Sequence, residues 1–257
     1  MVNDVDRAKR PARISVWLAP RTERGRRSAQ PSGLDRRKII DAAVRLLDAE
    51  GSAKFSMRRL AAELDVTAMS VYWYVDTKDE LLELALDSVY GTIRLPDVSP
   101  EGEWREQLRA LAREYRTVLV RHPWVSALIG NFLNIGPHSM AFSFAVQQVM
   151  RNTGLPPEGQ MGGLAAVFQF VYGFGTIEGQ FVQRCASAGV SEDEYYREAL
   201  GTIQGQLDEQ PEIRRTFESA SELMEARGGT TVADMRERDF VFALDLLVAG
   251  IEAMRAR

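Results

Sequence analysis

Three groups of side chains in this chain have types and spacings that can do chemistry. The first is Thr67-Ala68-Met69-Ser70-Val71-Tyr72-Trp73-Tyr74-Val75, with Lys78 just beyond it. Wound as a helix, this run puts Val71 and Val75 on one face, four residues apart. Ala68, Met69, Ser70, Tyr72, Trp73 and Tyr74 are then spread around the remaining circumference. So short a helix with so much aromatic surface is either a buried corner of a helical domain or a surface that meets a partner. The second group is Arg21, Arg24, Arg26 and Arg27 in a polar, Pro- and Gly-interrupted stretch. It reads either as a solvated tail or as an arm whose Arg24-Gly25-Arg26-Arg27 enters a narrow, electronegative minor groove. The third is the glycine-containing run Gly173 to Gln180, superficially like a phosphate-binding loop. No strand precedes it and it lies within a helical apolar pattern, so its small residues are better explained by close helix approach.

The other reactive side chains argue against catalysis and metal binding. His122 and His138 stand at no metal-ligand spacing from each other or from Cys185. A lone cysteine forms no intrachain disulfide and fits a reducing compartment. No local pattern marks a nucleophile with its base, so no catalytic residue, metal or cofactor is expected.

The elements that must position the first group can be read from caps and periodicity. Ser56 caps a helix with Leu60, Ala61 and Leu64 on one face, Asp65 makes a turn, and Thr67 caps the next helix. Thr77 and Glu80 form a capping box that opens a third helix through Leu81, Leu82, Leu84, Ala85 and Leu86. This is a helix-turn-helix followed by its support. Upstream, a helix starts at Asp35 with Leu34 and Ile39 as a hydrophobic staple, presents Ile40, Ala43, Val44 and Leu47 inward, and ends at Gly51.

Beyond a break marked by Gly91, Pro96, Pro100 and Gly102, helix follows helix with no clear alternating strand. The expected spans are 101–121, 123–129, 137–152, 158–186, 191–208, 211–225 and 232–257. The expected fold is all-α, with an N-terminal arm over residues 1–33, a helix-turn-helix domain over 34–95 and a larger helical domain over 96–257. Ile14, Val16, Trp17 and Leu18 form an apolar knot able to dock the arm.

Charge is unevenly distributed. The chain has 32 Lys and Arg against 36 Asp and Glu, a formal net charge of −4, yet its first thirty residues hold eight of the basic residues and three of the acidic ones. An acidic total therefore does not oppose binding to a polyanion, because the phosphate-facing surface is local. No apolar run approaches the roughly 18 to 20 residues of a membrane span. The N-terminus lacks the apolar core of a secretion signal, so a cytoplasmic protein with no membrane association is expected.

From Thr67 to Val75, with Lys78 to Leu81 after it, the chain resembles the tetracycline-repressor (TetR) family of bacterial transcription regulators. Their recognition helix has the form Thr/Ser-x-x-[Ser/Thr]-[Leu/Val]-Tyr-x-[His/Tyr]-[Val/Phe], followed by a Lys-x-x-Leu helix start. The preceding helix, LDRRKIIDAAVRLLDAEG, is also similar to the family's first. This resemblance implies a homodimer on a double-stranded DNA operator. Tyr72, Tyr74 and Lys78 would meet phosphates, and Thr67, Ala68, Met69 and Ser70 would approach base edges beside Trp73, with Arg58 reaching in from the preceding helix. Ala68 and Met69 are apolar where many relatives place hydrogen-bonding groups, so the base preference does not transfer.

The resemblance also implies a four-helix dimer bundle built from 158–186 and 232–257. Its apolar residues would be Phe174, Ile177, Phe181, Phe240, Leu244, Leu247 and Ile251. A cavity for a small hydrophobic or aromatic effector would be lined by Tyr115, Trp124, Phe132, Phe144, Phe168 and Tyr172, with Asn131, Gln148 and Gln169 orienting polar groups. The function implied is repression relieved by the effector. A helical enzyme or carrier that binds no DNA, and a sequence-tolerant nucleoid protein, are the alternatives.

Overall fold

A computed structural model of the chain describes residues 15–18, 34–207 and 230–255. The expected helix at 211–225, together with Arg21, Arg24, Arg26 and Arg27, lies outside the described residues. Among those described there are ten α-helices and no strand.

Four helices form the head. α1 (Arg36–Glu50) starts where Asp35 accepts the Lys38 N–H and ends at Gly51, whose φ of 78° suits a residue without Cβ. Its buried face is Ile39, Ala42, Ala43, Leu46 and Leu47. That stripe is rotated from the expected one, leaving Ile40 and Val44 at its half-buried edge. α2 (Met57–Glu63) is capped by Ser56 and α3 (Ala68–Tyr72) by Thr67. Between them Asp65 takes φ 53°, while the Val66 N–H closes the turn on the Ala61 carbonyl. α4 (Lys78–Tyr90) begins at the Thr77 cap, and Glu80 accepts from the Asp76 N–H.

Six helices form the body: α5 (Trp104–Arg121), α6 (Trp124–Leu128), α7 (Pro137–Asn152), α8 (Pro157–Ala188), α9 (Glu192–Leu207) and α10 (Val232–Arg255). α8 is 32 residues long, hence about 48 Å, and α5 packs along it. That contact explains part of the glycine run: a Cβ on Gly179 would lie 2.7 Å from the Leu119 carbonyl oxygen, and one on Gly175 3.0 Å from the Leu119 side chain. A single apolar core runs from Ile39 in the head to Ile251 in α10, so the sequence break near Leu95 is no break in packing.

Three carboxylates fasten head to body or arm to head. Asp48 of α1 accepts from His122 Nδ1 at 2.7 Å and from Trp124 Nε1 at 2.6 Å. Asp87 of α4, buried, accepts the Ser139 N–H at 2.8 Å in the open first turn of α7. Gly136 must be small for this, because a Cβ there would come within 2.3 Å of Asp87. Glu83, also buried, holds Ser15 Oγ and, at 2.8 Å, the Val16 N–H. Of the expected apolar knot, Val16 and Trp17 thus lie against the core beside α4, Leu18 is exposed and Ile14 lies outside the described residues.

Candidate nucleic-acid interface and effector site

α3 has one buried residue, Val71, and Val75 follows it into the core. Met69 is left 69% exposed, Tyr72 41% and Trp73 44%, on one continuous surface of the head. Thr67 and Ser70 close the start of the helix, their hydroxyls 2.9 Å apart. Ala68 is half-buried against the core. A helix that leaves these side chains bare while its valines are fully buried is held for contact with something outside the chain.

The two neighbouring arginines of α2 are used differently. Arg59 is bound to Glu50 at 2.7 and 2.9 Å, whereas Arg58 is exposed and makes no hydrogen bond or ion pair among the described residues. Its guanidinium is therefore available beside the start of α3.

Tyr74 and Lys78 are half-buried struts in this conformation. The Tyr74 hydroxyl donates to the Leu34 carbonyl at 2.8 Å, so its proton is not available to a phosphate. The Lys78 ammonium donates to the Phe55 carbonyl at 2.8 Å and sits over the Phe55 ring, with two N–H groups remaining. These bonds fix the entry to α1 and the approach to α2 around the recognition helix.

The expected effector residues divide. Tyr115 and Phe168 lie in an aromatic nest with Tyr90 and Phe142, and Tyr115, Phe142 and Phe168 have ring centroids 5.4 to 6.0 Å apart. Tyr172 flanks this region, donating to the Ser126 carbonyl at 2.9 Å, and Phe132 is half-buried against the core. Burial pushes the Tyr115 phenol up to about 12 and the Tyr90 phenol further in the same direction.

The remaining expected residues are elsewhere. Trp124 belongs to the head–body joint through Asp48. Phe144 is 56% exposed, and Asn131 and Gln169 are exposed. Gln148 bonds to Asn152 and Arg151 on its own helix. Tyr90 and Phe142 are not among the residues expected from sequence: Tyr90 lies at the end of α4, past the stretch read through Leu86. The packing of α4 on α7, invisible to local pattern, makes them part of the nest.

The expected dimer residues are mostly engaged within the chain. Phe240, Leu244 and Ile251 are buried within the chain, and Phe240 stacks on Phe170 at 5.7 Å. Phe174 packs on Phe240 at 5.4 Å, Phe181 on Tyr195 at 5.4 Å, and Leu247 is half-buried. The 240/244/247/251 stripe is thus the inner seam of α10. Ile177, by contrast, is 71% exposed.

The bare faces are one helical turn-edge away. On α10 they hold Phe242 (67% exposed), Leu246 (60%), Gly250 and Met254, and on α8 Gly162, Ala166 and Ile177, with half-buried Gly173 at the edge. A Cβ on Gly162, Gly173 or Gly250 would meet nothing within 4 Å, so no contact inside the chain requires those glycines.

Residues 39–85 match the family model for bacterial regulatory proteins of the tetR family, and residues 95–255 match that for the tetracyclin repressor-like C-terminal domain. An HTH-type transcriptional regulator of Saccharopolyspora erythraea is 39% identical over 159 residues, covering 62% of this chain and 65% of that protein. The HTH-type transcriptional repressor DrrR1 of Streptomyces coeruleorubidus is 35% identical over 162 residues, covering 62% of this chain and 59% of its own length. The matched region thus spans less than two thirds of either relative.

Among solved structures, the Streptomyces coelicolor TetR family protein ActR in complex with actinorhodin has a TM-score of 0.66 at 26% identity, covering 87% of this chain and 97% of its own. BioQ with its double-stranded DNA operator has a TM-score of 0.55 at 25% identity, covering 86% and 99%. No helix among the described residues is long and apolar enough to cross a membrane. A head whose exposed third helix stays bare, a six-helix body among the described residues and two family models that together cover most of the sequence lead to one conclusion: the chain belongs to the tetracycline-repressor family of transcriptional regulators.

Proposed function

We propose that this protein is a dimeric, effector-responsive transcriptional repressor that acts in the cytoplasm on a pseudo-palindromic operator. The observation that carries this reading is the bare recognition helix, with Met69, Tyr72 and Trp73 exposed over a fully buried Val71. Laid in a major groove, its N-terminal residues Thr67, Ala68, Met69 and Ser70 face base edges, and the apolar pair suits thymine methyls. Tyr72 and Lys78 meet phosphates, and Arg58 reaches a base from α2. Tyr74 joins them only after releasing Leu34. Arg24, Arg26 and Arg27 belong to a segment flanked on one side by the Glu83 anchor and on the other by the Leu34–Tyr74 bond, which brings both flanks to the head. The minor groove beside α3 is their assigned place.

The dimer forms through the bare α8 and α10 faces, giving the four-helix bundle that the family resemblance implies. Helical glycine costs about 1 kcal/mol relative to alanine, so Gly162, Gly173 and Gly250, unneeded within the chain, are accounted for by close approach of a second copy.

A small hydrophobic or aromatic effector enters at the nest of Tyr115, Phe142 and Phe168. These rings pack on one another, so an occupant must part them. Tyr90 is in that nest and Asp87, one turn earlier on α4, holds α7. Parting the rings therefore displaces the helix that carries the head. A compound that prefers the displaced form lowers operator affinity by the factor by which DNA lowers its own. This repression predicts retardation in a gel-shift assay with the gene's own upstream region, resistant to scrambled competitor DNA. Equal competition by scrambled DNA, or no retardation, would refute it.

A further inference from the structure

The face of α5 opposite Tyr115 carries a second set of side chains able to bind a ligand. Together with α8 and α10 it encloses an open cleft of about 380 Å³, within the size range of small-molecule sites. The floor is Arg116, whose side chain is 11% exposed. It donates to both oxygens of Glu178 at 2.6 and 2.9 Å and once to Glu237, and it lies 4.4 Å over the Phe240 ring. Its two partners are unequal. Glu178 is 12% exposed and held by two parallel bonds, while Glu237 is 53% exposed and held by one nitrogen.

The rim supplies charge that no described residue neutralises. Arg113 and Arg121 are exposed, lie eight residues and so about 12 Å apart along α5, and make no side-chain hydrogen bond or ion pair among the described residues. Thr117 and half-buried Val120 lie between them, a hydroxyl and an apolar step on the same wall. Among the described residues lining the cleft, three guanidiniums thus face two carboxylates. Planar, bidentate guanidinium donors favour carboxylate and phosphate above other groups.

We propose that this cleft binds a small organic anion bearing a carboxylate or phosphate, gripped by Arg113 and Arg121 at the rim and taking the place of Glu237 on Arg116. The exchange is feasible because a half-exposed, singly bonded carboxylate gives up little on returning to water, whereas Glu178 keeps Arg116 in place. Glu237 projects from the side of α10 opposite Phe242 and Leu246, so covering the bare face by a second copy leaves the cleft open. Binding there unties α10 from α5 at one point. The site is separate from the aromatic nest and takes a different chemistry.

Calorimetric titration of the full-length protein with citrate, benzoate and inorganic phosphate, at ionic strength matched with sodium chloride, tests this. Saturable binding of at least one probe is expected. It should weaken about tenfold or more in R113Q/R121Q, the scale of losing a charge-assisted contact, and strengthen in E237Q, which removes the competing charge. All three substitutions are at exposed positions, and unchanged circular dichroism and melting in chloride will show that the fold is retained. No saturable binding, undiminished binding in R113Q/R121Q, or weaker binding in E237Q would each overturn the proposal.

Discussion

Arg58 and Arg59 are adjacent, yet only Arg59 is tied to Glu50, and the difference decides what each can do. A free guanidinium beside a recognition helix can grip the O6 and N7 of a guanine, a contact worth about 1 to 3 kcal/mol of discrimination. Arg58→Ala should therefore flatten the base preference at one operator position by that amount, whereas Tyr72→Ala should weaken all sequences alike. A binding series over single-base operator variants separates the two, and an unchanged preference in Arg58→Ala would remove its base-reading role.

Residue-scale chemistry also sets a pH limit. An unfolded tyrosine titrates near pH 10 (about, for a free phenol), whereas burial raises Tyr115 to about 12 and Tyr90 further in the same direction. Because the folded state favours the neutral phenols, their contribution is complete below about pH 10 and is lost as pH rises towards 12. Denaturant midpoints should fall across that window, and absorbance at alkaline pH should show two tyrosines ionising only with unfolding. Early ionisation of all seven in the folded protein would contradict the buried nest.

At the scale of elements, the caps made the head legible. Asp35, Ser56, Thr67 and Thr77 each accept the backbone N–H three residues on, and each was readable as a helix start. The body's long helices were readable from their apolar periods, but which partner each face meets was not. Phe240, Leu244 and Ile251 make a regular stripe, and a stripe states only that something covers it. In the folded chain α5 and α8 do so, and Phe242, Leu246 and Met254 are left bare.

The aromatic nest was only partly legible for the same reason. Tyr115 and Phe168 sit on inward stripes, whereas exposed Phe144 and the joint residue Trp124 could be sorted only by packing across helices. The bare α10 face carries its own prediction. Leu246→Glu, at an exposed position, should leave helicity intact and convert dimers to monomers in sedimentation experiments, while Leu244→Glu should unfold the chain. A dimer undisturbed by Leu246→Glu would place the interface elsewhere.

For the whole molecule, head and body are one packed unit, joined by a continuous core and by Asp48 and Asp87. In the proposed mechanism a change in the nest would be passed to the head through α4, without a separate linkage. Titration with a flat aromatic compound should quench tryptophan fluorescence and change operator affinity over the same concentration range, since binding and release are linked. Saturable quenching with unaltered operator affinity would make the nest a binding site without control over DNA.

The central claim is that two recognition helices of one dimer occupy successive major grooves. A hydroxyl-radical footprint on the gene's upstream DNA tests it most directly. The account predicts two protected half-sites of related sequence, centred about 34–36 Å or a multiple of that apart, both lost in Tyr72→Ala. A single protected patch, diffuse protection without sequence register, or a footprint unaltered by Tyr72→Ala would contradict it.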